Sequence, residues 1–127
     1  MVRHIVRDLL IHLVEAERRL RSQLAASRES LAGTPPSLRI LHEAHARELE
    51  LLIDEDGWPT IDESGEDGVE AAFQITLNAT SRPAFQRRCL AMMRAAATRG
   101  DIPMRHPQAL EERLRAMDAL AGAVGWR

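Results

Sequence analysis

Gly57-Trp58-Pro59-Thr60-Ile61-Asp62-Glu63-Ser64-Gly65-Glu66-Asp67-Gly68 opens a stretch that closes on Arg82-Pro83-Ala84-Phe85-Gln86, and this stretch decides the fold. A Trp between Gly and Pro, with helix-patterned sequence on either side, is a fixed corner at which a large ring packs against both neighbours. The chain has two Trp and 3% aromatics, so one of its few rings sits at its main joint.

Working back from the corner, residues 37–56 carry Leu38, Leu41, His45, Leu49, Leu52 and Ile53 at helical spacing, and Gly57 is placed to end that helix. Before it, Thr34-Pro35-Pro36 interrupts a long amphipathic segment over residues 2–31. There Val2, Val6, Leu9, Leu13, Ala16 and Leu20 form the apolar stripe, widened by Ile5, Leu10 and Val14. Glu15–Arg19 and Glu17–Arg21 read as i,i+4 surface pairs, and Gly33 reads as the helix stop.

Working forward, Thr60–Gly68 reads as an acidic, turn-rich loop pinned by Ile61, followed by a third helix from about Glu66 to Ala79. Ser81 is expected to cap a fourth, with Pro83 in its first turn and Phe85, Cys89, Met92 or Met93, and Ala96 buried, ending at Gly100. His106-Pro107 opens a last helix that buries Leu110, Leu114, Met117 and Ala121 and frays at Gly122 and Gly125. No segment alternates with period two. The expectation is an all-α bundle of four to five helices in a single domain over residues 1–127, with 1–33 as a long first helix and 34–127 as the helical core.

Composition narrows the function classes. A net charge of -2, from 17 basic and 19 acidic residues interspersed, provides no field for nucleic acid or an anionic membrane. One cysteine, Cys89, excludes a disulfide framework, and its predicted burial makes it a small hydrophobe rather than a nucleophile. No apolar run approaches the ~20 residues that span a bilayer, and Asp8 and His12 break any leader-like core. The default is cytoplasmic, with no cofactor expected.

The motif search finds little chemistry. His42-Glu43-Ala44-His45 misses the zinc-protease signature by one residue, because its histidines stand three apart rather than four. A metal there needs a further ligand from His4, His12, Glu15 or His106, so the simpler reading has one core-facing and one solvated histidine. Asp54, Glu55, Asp56, Asp62, Glu63, Glu66 and Asp67 lack calcium-loop spacing and read as an acidic surface facing the Arg-rich helices.

Gly57-Trp58-Pro59, Gly65 or Gly68, Ala71-Ala72-Phe73 and Phe85-Gln86-Arg87-Arg88-Cys89-Leu90 together resemble an uncharacterised bacterial family of small proteins. Its pattern has a Gly-Trp-Pro corner, a Gln-His-Ala helix, a Phe-Gln pair, an Asp-Arg pair and a Tyr-Gly-Thr-Gln tail. The likeness spans residues 42–114, with Glu112-Arg113 resembling the Asp-Arg pair. The Gln-His-Ala segment falls on Leu77-Asn78-Ala79, so Asn stands where the family has His, and the tail has no counterpart after Met117. Asn cannot shuttle a proton near neutral pH.

A retained scaffold with lost reactive groups argues for binding over catalysis. The expectation is a small-molecule or protein-binding module whose ligand surface comprises Trp58, Asn78, Glu112 and Arg113, self-associating through the first helix. The competing expectations are a small enzyme, using His42 and His45 with a metal or an Asn/Glu/Arg site, and an immunity- or antitoxin-like protein presenting its acidic segment to a basic partner.

Overall fold

A computed structural model describes residues 4–26 and 34–123. Among them are five helices and no strand: α1 (His4–Ala26), α2 (Pro36–Asp56), α3 (Ile61–Asn78), α4 (Pro83–Thr98) and α5 (Arg105–Ala123). The expected stop at Gly33, the outermost stripe residue Val2 and the fraying at Gly125 lie outside the described residues.

The helix boundaries follow local chemistry. Pro36 occupies the first turn of α2, and Gly57, at φ 78°, closes it with its N–H donating to the Ile53 carbonyl. The acidic segment expected as a loop is instead the first turns of α3. The Thr60 hydroxyl accepts from the Glu63 backbone N–H at 3.3 Å, and Asp62 and Glu63 favour the positive end of the helix. Gly65, at φ 72°, kinks the helix there, which is why the sequence pattern only becomes regular after it. Ser81 does not cap α4; its hydroxyl donates to Glu43 at 2.7 Å, and Arg82 takes the cap position.

Helix order is set by paired side chains. Arg7 meets Asp67 and Glu17 meets Asn78, so α1 and α3 run parallel. Glu17 also lies beside His42, while Ile5 and Leu9 lie beside Leu51, so α2 runs antiparallel to α1. Arg94–Glu111 at 2.7 Å and Arg87–Asp118 at 2.9 Å fix α5 antiparallel to α4.

Trp58 is 5% exposed and belongs to a single hydrophobic cluster with Leu10, Leu49, Val69, Phe73 and Met93. Truncating a buried ring of this kind typically costs about 3–5 kcal/mol. The first helix is part of that cluster through Leu10 and Leu13, so it is not an appendage to a separate core. Its stripe is rotated from the expected one: Leu10, Leu13, Glu17 and Leu24 turn inward, whereas Ile5 is 87% exposed. At the far end Ala121 is exposed and Met117 only half-buried, because α5 runs past the body of the bundle. His106 is buried flat against Phe73, with ring centroids 4.2 Å apart, and its Nε2 lies 2.8 Å from Glu70. That places it in the core packing, away from His42 and His45.

Candidate functional site

Leu10, Leu13 and Leu24 recur on one line of α1, and Glu17 falls on the same line. A carboxylate is thereby carried into the space between α1, α2 and α3. Opposite it, the i,i+3 spacing of His42 and His45 puts both imidazoles on the inner face of α2. The end of α3 adds Gln74, Ile75 and Asn78. These groups, with Val14, Arg18 and Arg21, line a partly open cavity of about 250 Å3. A second cavity of about 160 Å3 shares Val14, Arg18 and Gln74 and extends the cleft towards Asp67 and Glu70.

Glu17 is the hub. Arg21 grips it with a fork, Nε donating to Oε1 at 2.9 Å and Nη2 to Oε2 at 3.3 Å. Asn78 Nδ2 donates to Oε2 at 3.3 Å. Burial pushes the carboxyl upward, but the Arg21 hydrogen bonds and charge, aided by His42, outweigh it and hold Glu17 below its ordinary range. Glu17 is therefore an anion at neutral pH.

Both histidines are buried, His42 at 9% and His45 at 6% exposure, which corrects the expectation of one solvated ring. Burial pushes both below their ordinary value; the Glu17 charge partly opposes this at His42, and His42 itself lowers His45 further. Two neutral imidazoles thus face one carboxylate. His42 Nε2 lies 3.6 Å from Glu17 Oε2, too far for a direct hydrogen bond, and is buried with no partner.

Of the four residues expected to form a ligand surface, only Asn78 lines this cleft. Trp58 is enclosed in the core, and its indole N–H is buried without a partner rather than offered to a ligand. Glu112 and Arg113 are exposed on α5. The structure does not bring these four together. It does bring His42, His45 and Asn78 together, around the Glu17–Arg21 pair that the sequence presented as surface decoration. The available signal was positional: Glu17 interrupts the line through Leu10, Leu13 and Leu24.

Among the described residues, no group of three or more His, Cys, Asp or Glu is arranged to hold a metal ion. Cys89 is fully buried and burial pushes its thiol up to about 12, so it is not poised as a nucleophile. Two of the acidic residues around the corner are tied to arginines, Asp67 to Arg7 and Asp54 to Arg88. No described helix is long and apolar enough to cross a membrane. No protein-family model, curated protein or solved structure matches this chain.

Proposed function

We propose that the protein is a binding module for a small polar molecule, held in the cleft between α1, α2 and α3. The observation that carries this reading is the buried, unpartnered His42 Nε2 facing Glu17 Oε2 across 3.6 Å. Leaving such a group unsatisfied costs roughly 1–3 kcal/mol, and a ligand donor placed between the two atoms recovers that cost. An amine or hydroxyl fits: it donates to Glu17 while its own lone pair or second hydrogen serves the imidazole.

The mouth of the cleft sets the other end of the ligand. Arg21 is occupied by Glu17, whereas Arg18 lines both cavities and is exposed, a site for an anionic group. Val14 and Ile75 supply apolar walls between the two ends. The favoured ligand class is a short molecule with an amine or hydroxyl at one end and a carboxylate or phosphate at the other. Asn78, which stands where the resembled family carries His, lines the same cleft, and this agrees with a retained site whose proton-transfer group is gone.

The test is a titration of 15N-labelled protein with ethanolamine phosphate and β-alanine, against ethylamine and acetate as single-ended probes. The two-ended probes should shift the side-chain amides of Asn78 and Gln74 saturably, and Glu17→Gln should abolish the effect. Equal shifts from all four probes, or shifts confined to other surfaces, would refute the reading.

A further inference from the structure

The second cavity of the cleft, about 160 Å3, shares Val14, Arg18 and Gln74 with the first. That room is well above the ~10–15 Å3 that a single water needs. Of its charged lining groups, Asp67 is held by Arg7, and Glu70 by Arg105 and His106. Glu15 and Arg18 differ from these. Both are exposed, and among the described residues neither forms a hydrogen bond or an ion pair; the Glu15–Arg19 pair that the spacing suggests is not made. Gln74, at the shared wall, likewise has a free side-chain amide.

Glu15 and Arg18 stand three residues apart on α1, so their side chains are neighbours on one face. An unmatched carboxylate and an unmatched guanidinium side by side are the counterpart of a zwitterion. Arg18 and the Gln74 amide donate to a carboxylate, and Glu15 accepts from an ammonium beside it. A lone anion at Arg18 meets the Glu15 charge as well, so the pair ranks a zwitterion above a bare anion. At the inner end of the cleft Glu17 is an anion, which favours an ammonium over a hydroxyl in the gap to His42. An ammonium there donates both to the carboxylate and to the lone pair of the unpartnered His42 Nε2.

We infer that the ligand of the cleft is an amino acid with a second amine at the end of its side chain, an α,ω-diamino acid of the lysine or ornithine kind. The inference rests on the cleft being the binding site and narrows what it takes. The α-carboxylate lies on Arg18 and Gln74, the α-ammonium on Glu15, and the ω-ammonium between Glu17 and His42. The aliphatic chain runs along Val14 and Ile75. A molecule with only an amine at one end and a carboxylate at the other meets every one of these groups except Glu15.

Isothermal titration calorimetry should compare L-lysine and L-ornithine with 6-aminohexanoate and 5-aminopentanoate, the same chains without the α-amine. The diamino acids should bind about three- to fivefold more tightly, as an exposed ion pair allows. Glu15→Gln should erase that advantage, bringing each diamino acid to the level of its counterpart. Norleucine, which lacks the ω-amine, should bind more weakly than lysine, and Glu17→Gln should remove the difference. Equal binding of lysine and 6-aminohexanoate overturns the inference and leaves the cleft as a two-ended site. An advantage that survives Glu15→Gln overturns it too. Binding by none of these compounds overturns both the inference and the cleft on which it rests.

Discussion

His42 Nε2 and Glu17 Oε2 face one another at 3.6 Å in the interior of the α1–α2 contact, close enough to interact and too far apart to bond. A bundle selected only for stability has little reason to keep this gap. A leucine at position 17 continues the apolar line of α1 and needs no guanidinium or amide to satisfy it. The pair therefore reads as chemistry retained at some expense to the fold.

That view makes the two ends of the Glu17–Arg21 fork unequal. Glu17→Leu should leave the urea midpoint unchanged or raise it, because Arg21 is largely exposed and returns to solvent. Arg21→Ala should instead lower stability by about 1–2 kcal/mol, since it strands a buried carboxylate. Equal losses in the two variants would mean that the pair is a structural brace.

Stability should depend on pH in a window set by the histidines. His42, His45 and His106 are all held below their ordinary value of 6.5 by burial, so the unfolded chain takes up protons first as the pH falls. Their contribution is complete above about 6.5 and is lost progressively below it. Glu17, lowered in the fold, adds a second loss at more acid pH, below its ordinary value of 4.5. Urea midpoints measured from pH 8 downward should be flat to about 6.5 and then decline; a flat profile to pH 5 would contradict the burial of these rings.

The kinked start of α3 depends on a missing side chain. A Cβ at Gly68 would lie 2.9 Å from Ser64 Cβ in the same helix, whereas Arg7 Cα at 3.6 Å is an ordinary contact, so Gly68→Ala must shift the first turns of α3 around the Gly65 kink. The expected loss is about 1–3 kcal/mol. Gly57→Ala meets open space and suffers only from its backbone, at φ 78° and ψ −171° a region essentially reserved for glycine, for about 1–3 kcal/mol. Thermal denaturation of the two variants side by side distinguishes crowding from backbone strain.

Cys89 offers a probe of the core. With its thiol fully buried and pushed up to about 12, it should resist a thiol reagent in the native state and react only as the protein unfolds. Rapid labelling of native protein would place it outside the cluster that contains Trp58.

The fold is legible in the sequence where one signal dominates. Gly57-Trp58-Pro59 marks the corner because its ring, turn residue and breaker all point the same way, and Trp58 is buried there. The start of α3 is misread because its acidic first turns and Gly65 resemble a loop until Thr60 is seen capping them. The site is harder to read. Asn78 and the His42/His45 pair are visible as candidates, yet their convergence on Glu17 depends on the rotation of α1. That rotation hides in a stripe wide enough to allow either Leu9 or Leu10 to face inward. Glu112 and Arg113, a polar pair singled out by resemblance alone, lie exposed on α5 and do not line the cleft.

The most direct measurement is a long-range 1H–15N spectrum of histidine-labelled protein at neutral pH, recorded with and without ethanolamine phosphate. Neutral His42 should show distinct nitrogen shifts for its two ring positions, and the probe should move its Nε2 resonance in wild type but not in Glu17→Gln. A protonated His42 in the free protein, or an Nε2 resonance indifferent to the probe, would contradict the account.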